Sequence, residues 1–291
     1  MMSLESSSGN SKKVVAPLDS ADMDSAVLVA INRFQKKEVV QVEMSPEDKD
    51  TVTEIEEKHK SESEEDKRAH LYAKALEILT VNFGNSWLPG FPSEASKFDD
   101  FVRGTDVIIE LEDDNGSVYR FAIDVTISTK KIDKKIERVF DELARGGFRK
   151  IKYFTPQLEE RSDSLPPAGD GEFEMPIAIA GFEFVEAESL ARFLLKLSKP
   201  NITNIEKDKY VEEIKRHRFG FELMEQILRE FRSQILSLEN SNLSAKPDTI
   251  TRVNYLKNII SIIEAYKTNI KNPLESENAV QRAILRIFEN R

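Results

Sequence analysis

Two aspartates stand in apolar, strand-like stretches where that residue type fits poorly. Asp106 lies near the start of TDVIIEL, and Asp124 interrupts YRFAIDVTIS. In the second stretch Tyr119, Phe121, Ile123, Val125 and Ile127 recur at period two and share one face, with Arg120, Ala122, Asp124, Thr126 and Ser128 on the other. Aspartate is depleted in strands. The bland reading makes Asp124 a wet-face carboxylate paired with Arg120 or a lysine, and Asp106 a strand-start residue capping the loop after Arg103-Gly104. The chemical reading brings the two together. Side-by-side carboxylates repel and raise each other's pKa unless a cation lies between them. Mg²⁺ or Mn²⁺ suits such an oxygen site, and a divalent ion there polarises a phosphoryl group.

Whether the carboxylates meet depends on the register across EDDNGS. A three-residue loop, Asp114-Asn115-Gly116, with Gly116 in the left-handed position, sets Asp106 opposite Asp124. A two-residue Asn115-Gly116 turn sets Asp106 opposite Val125, and the carboxylates then point to opposite faces. The sequence permits both. Lysines follow closely: Lys130, Lys131, Lys134 and Lys135 on the first turns of a helix, and Lys150 and Lys152 on the next strand. Residues 128–152 hold nine Lys/Arg and four Asp/Glu, a surplus of +5 in a chain of net charge -10. That surplus reads either as a phosphate-contacting patch or as a solvated helix face.

The elements that must position these residues are legible in outline. Residues 1–66 are expected to be a mostly disordered or charged N-terminal segment, with a short helix over 18–38, a short strand in EVVQVEM and a charged linker or helix extension over 45–68. Residues 67–198 are expected to form an α/β core. Leu71, Ala75, Ile78, Leu79 and Phe83 mark a helix ended by Gly84, followed by a loop, NSWLPGFPSEASKF. Two strands joined by the hairpin come next. A helix over Thr129–Arg145 then buries Ile132, Ile136, Val139, Phe140 and Leu143. Strands over 148–156 and 176–185 and a helix from about 186 complete a mixed sheet flanked by helices. Residues 203–291 read as an all-helical extension: one long helix through Leu238, broken near Gly220, a second over 250–270 and a third around Val280–Phe288. It either packs on the sheet or pairs with another copy.

Composition narrows the classes. The 291-residue chain has no cysteine, which excludes disulfides and thiolate metal sites and fits a cytoplasmic location. Only His59, His70 and His217 are present, which makes a histidine-built zinc site improbable. No run approaches the ~20 apolar residues of a membrane helix, so no membrane association is expected. The net negative charge argues against coating nucleic acid, though not against cutting it at a carboxylate-held metal. Among secondary candidates, Asp99 and Asp100 read as turn-capping loop residues, Trp87 as a packed anchor, and His217 as a helix residue without a catalytic partner.

TDVIIEL, the hairpin, FAIDVT, the helix and IKYF together resemble the core of the PD-(D/E)xK nuclease superfamily over roughly residues 67–155, with the elements up to 198 as an extension. The resemblance implies a restriction-endonuclease-like core ordered helix–strand–strand–strand–helix–strand. It makes Asp106 the first motif acid and Asp124 the second, both metal ligands, with Glu77 on the first core helix as a third. Thr126 stands where the motif lysine belongs. A lysine supplied from the following helix is then required, with Lys134 preferred and Lys130 or Lys131 as neighbours. The implied activity is Mg²⁺- or Mn²⁺-dependent hydrolysis of phosphodiester bonds in DNA or RNA. The superfamily also includes members that lost the catalytic set. The alternative is therefore an inactive interaction or assembly protein whose C-terminal helices bind a partner or form a homodimer.

Overall fold

A computed structural model of the chain describes residues 20–34, 42–127, 132–159 and 171–268. The fold is mixed α/β with a helical C-terminal region. Eight helices in the described residues surround a four-stranded sheet ordered β1-β2-β3-β6. The strands are β1 (Phe91–Glu94), β2 (Val107–Glu112), β3 (Val118–Thr126) and β6 (Ile177–Gly181). β1 and β2, and β2 and β3, pair antiparallel, whereas β3 and β6 are parallel. The crossover from β3 to β6 contains helix α4 (Ile132–Ala144) and a separate two-stranded ribbon, β4 (Arg149–Ile151) with β5 (Phe173–Met175). Of the strands expected over 148–156 and 176–185, the second joins the sheet as β6. Arg149–Ile151 is drawn off into the ribbon instead.

The hairpin adopts the three-residue loop. Gly116 has φ +79, its N–H donates to Asp113 O at 2.9 Å, and Asp113 N–H donates to Ser117 O at 3.0 Å. The Asp113 carboxylate fastens the turn by accepting from Asn115 and Ser117 N–H. The ladder runs from Glu112–Val118 to Val107–Ile123; just beyond it Asp106 donates its N–H to Ile123 O and accepts from Val125 N–H on its carboxylate, which sets it beside Asp124. Every residue of β3 is buried, so Asp124 has no wet face.

Departures from expectation concern the N-terminal half. The described part of the N-terminal segment carries the short helix expected and a charged helix. It forms α1 (Ser20–Phe34) and α2 (Pro46–Lys60), the latter capped by the Ser45 hydroxyl and followed closely by α3 (Glu64–Phe83). Val52 of α2 packs with Phe98 and Tyr153, which anchors a helix that looks wholly polar in sequence. The strand expected in EVVQVEM is absent from its described residues, and the rest of it lies outside them. β1 forms inside the stretch expected to be a loop; its Pro92 is tolerated because β1 is a sheet edge. α4 buries Ile132, Ile136, Val139, Phe140 and Leu143, as its periodicity requires.

The C-terminal helices α7 (Arg218–Glu239) and α8 (Pro247–Lys267) pack on the sheet, α6 (Asn204–Lys215) packs on α3 and the helix Phe184–Leu197, and all three share the hydrophobic core. α7 also covers the free edge of β6. Gln226 and Gln234 donate to the Ile179 and Ile177 carbonyls, and Glu230 accepts from Ile179 N–H. Burial pushes the Glu230 carboxyl up to about 8. Where β3 extends past β6, the Tyr255 hydroxyl accepts from Arg120 N–H and donates to Arg120 O. Exposed strand edges invite pairing with other chains, and these side chains occupy the position of a further strand. The third C-terminal helix expected around Val280–Phe288 lies outside the described residues.

The helix break falls at Arg216–His217, and Gly220 lies inside α7 for a steric reason. Trp87 is 1 % exposed and donates to Ile214 O at 3.0 Å. A Cβ at residue 220 would lie 2.3 Å from its ring. Gly220→Ala is expected to destabilise the protein by about 1–3 kcal/mol through overpacking. Urea unfolding reads this directly; an unchanged midpoint would mean that α7 does not press on Trp87.

Candidate functional site

Asp106 is set at the head of β2 by its own backbone. Its N–H donates to Ile123 O at 2.9 Å, and one carboxylate oxygen accepts from Val125 N–H. α3 lies over this end of the sheet and brings Glu77 down onto it. A single wide helical turn, Asp99–Arg103, brings Asp100 alongside. Carboxylate oxygens of Glu77, Asp100 and Asp106 lie within 4.8 Å of one another. Asp100 and Asp106 lie close enough to act on each other's ionisation. Asp124 adjoins this trio and binds the Lys135 ammonium of α4.

The electrostatics follow from burial and like charge. Burial pushes the Asp106 carboxyl well above the ordinary range, with the charges of Glu77, Asp100 and Asp124 adding to it. Asp100 is pushed up to about 7 by burial and then by Glu77. Burial also raises Glu77, and the ion pair with Lys74 at 2.7 Å offsets this only in part. Lys74 bridges Glu77 to Glu94 on β1, at 2.8 Å. For Lys135 burial works against the charge, but Asp124 and Asp106 outweigh it and the pKa rises. Lys135 is therefore a cation at neutral pH.

This donor set suits a divalent cation. All its donors are oxygens, they converge, and they are charged groups taken out of water at a cost that a cation would offset. Glu77 Oε2 is shielded from solvent and makes no hydrogen bond of acceptable geometry despite the nearby Lys74. The cluster lines a cleft of about 1420 Å³ that also reaches Arg138, His59 and His70.

The site brings together three of the residues expected from sequence, Asp106, Asp124 and Glu77. It departs from expectation at the others. Lys134 is exposed on α4 and is not among the residues that line the cleft. Lys135 stands three residues after Ile132 and four before Val139, at the edge of the buried stripe, and reaches the carboxylates. Lys130 lies outside the described residues. Asp100 joins the cluster rather than capping a turn. Asp99 does the capping, accepting from Ser96 Oγ at 2.7 Å and from Lys152 and Tyr153 N–H. Arg120 is not the partner of Asp124 but pairs with Glu110 across the strands at 2.9 Å. Much of the basic surplus is consumed locally: Arg149 on Glu142, Lys150 on Glu172 and Lys152 on Asp48. His217 caps α7, and Trp87 is an internal anchor. The signal for Asp100 was its place just ahead of β2. The one for Lys135 was the helical phase of α4.

A carboxyl whose folded pKa is raised contributes stability below its unfolded pKa, and that contribution is lost as pH rises through the folded value. For Asp100 the window runs from about 4 to about 7. In the presence of chelator, the wild-type melting temperature should therefore fall across this window. Asp106→Asn should flatten the fall and melt higher at pH 8, by on the order of 2–4 °C for each kcal/mol relieved. Mn²⁺ should raise the wild-type melting temperature at pH 8 and move the variant much less. Identical pH profiles for the two proteins would contradict this electrostatic account.

No protein-family model matches the chain, and no curated protein or solved structure is similar to it, so the site is read from its own geometry.

Proposed function

We propose that this protein is a divalent-metal-dependent phosphodiesterase of the nuclease type, acting on nucleic acid and related to the PD-(D/E)xK superfamily. The observation that carries this reading is the convergence of Glu77, Asp100 and Asp106 on one cleft wall, with Asp124 and its bound Lys135 ammonium beside them. The element order supports it. α3, β1, β2, β3, α4 and then β6 parallel to β3 run helix–strand–strand–strand–helix–strand once the β4–β5 ribbon is set aside as an insertion. Lys135 occupies the role left open by Thr126.

In this reading Asp106, Asp124, Glu77 and Asp100 hold Mg²⁺ or Mn²⁺, which when bound polarises a phosphoryl oxygen and acidifies water. The chain's own residues do the rest. Asp106 is held rigidly by Val125 N–H, so its carboxylate is preorganised. Lys135 keeps its proton at neutral pH, so it stabilises negative charge growing on the attacked phosphate rather than acting as a base. Lys74 holds Glu77 and Glu94 in place and lowers the repulsion in the cluster. The alternative of an inactive assembly protein draws less support, because α7 and α8 spend their apolar faces on the sheet.

Cleavage of plasmid and of single-stranded DNA and RNA, with Mg²⁺ or Mn²⁺, tests the proposal. Asp124→Ala should abolish metal-dependent cleavage. Lys135→Ala should lower the rate about 10²–10³-fold, as losing one charge-stabilising donor does. Lys134→Ala should stay within about threefold of wild type, since surface changes away from the site have small effects. A wild type inert on all substrates with either metal, or a greater loss at Lys134 than at Lys135, would sink the reading.

A further inference from the structure

A second constellation lies on the cleft wall, outside the carboxylate cluster. α2 ends at Lys60 and α3 begins at Glu64, and the joint is tied by Ser61 N–H to Lys58 O and Glu62 N–H to His59 O. His59 stands in the last turn of α2, Glu62 in the joint and His70 in the second turn of α3. Two of the chain's three histidines thus converge with a carboxylate, and one potential ligand atom from each lies within 4.8 Å of the others. The imidazole centroids are 5.1 Å apart, and the His59 ring is held edge-on by Phe101 at 5.3 Å.

The contact between Glu62 and His70 points to a ligand. Glu62 Oε2 is shielded from solvent and lies 3.1 Å from His70 Nδ1, yet makes no hydrogen bond of acceptable geometry. Two ligands of one tetrahedral ion, each about 2.0–2.2 Å from it, stand about 3.4 Å apart with both lone pairs aimed at the ion rather than at each other. The Glu62–His70 spacing lies within ion-pair range and is also close to that of two ligands on one ion. Two imidazole nitrogens and one carboxylate suit zinc and its neighbours in the transition series, not Mg²⁺.

We propose that His59, Glu62 and His70 form a second, zinc-class metal site that clamps the α2–α3 joint. Three protein ligands leave one coordination position, and His59 and His70 line the cleft. Phe101 belongs to the same wide turn as Asp100, so the clamp braces the support of the acidic cluster. The nitrogen-donor site and the all-oxygen site differ in metal preference, and this inference stands apart from the phosphodiesterase reading.

The test is titration of tag-free, metal-stripped protein with Co²⁺, followed by displacement with Zn²⁺. Four-coordinate cobalt gives strong visible bands, and six-coordinate cobalt gives weak ones. The expected result is one strong-band site per chain, displaced by Zn²⁺ and not by Mg²⁺. His70→Asn and Glu62→Gln should each weaken Zn²⁺ binding by more than about tenfold, since even outer-shell losses cost 10–100-fold. His70 is exposed, so its variant should keep its fold, which far-ultraviolet circular dichroism checks. Asp106→Asn should leave the bands intact. Weak bands in the wild type, unchanged Zn²⁺ affinity in both site variants, or loss of the bands in Asp106→Asn would each overturn the proposal.

Discussion

The turn at Asp114–Gly116 is the constraint on which the rest of the molecule depends. A three-residue loop with Gly116 in the left-handed conformation sets every pairing between β2 and β3. A slip of one residue would exchange the two faces of the hairpin and separate Asp106 from Asp124. The Asp113 side chain resists that slip by holding two N–H groups of the turn. A few hydrogen bonds at one end of the hairpin thus fix the charge arrangement at the other.

The same two strands carry a matched and a mismatched set of charges. Near the turn, Glu110 and Arg120 are both buried, pair at 2.9 Å, and have their remaining groups satisfied by Gln157 N–H and the Leu158 carbonyl. A pair completed in this way holds structure and asks for nothing further. At the far end, Glu77, Asp100, Asp106 and Asp124 face two ammonium groups, Lys74 and Lys135. The excess of negative charge appears as raised carboxyl pKa values. Unfavourable electrostatics retained in a cleft, with a well-matched ion pair a few residues away, are the mark of a site rather than of a core.

Holding such a cluster requires a sheet that does not move, and the helices supply it. α3 and α4 bring charge to the site, while α7 and α8 close the sheet. Gln226, Glu230, Gln234 and Tyr255 occupy backbone groups that another strand would otherwise take. The C-terminal helices are in this sense part of the sheet, and a change there is transmitted to β3 and β6 through backbone hydrogen bonds.

The sequence by itself determined what is local. Period-two and helical spacing marked β3, α3 and the buried face of α4 residue by residue, and the misplaced Asp106 and Asp124 marked the site. Turn chemistry left two registers, and only the folded hairpin chose between them. β1 was hidden because an edge strand with a proline needs a neighbour to be a strand at all. α2 was read as solvated because one buried residue, Val52, anchors it. Lys135 rather than Lys134 reaches the carboxylates because it neighbours the buried stripe of α4, and one residue turns a helix by about 100°. Asp100, Lys74 and the meeting of His59 with His70 are contacts between elements. Spacing along a chain encodes which face a residue takes, but not which faces meet, and that step belongs to tertiary packing.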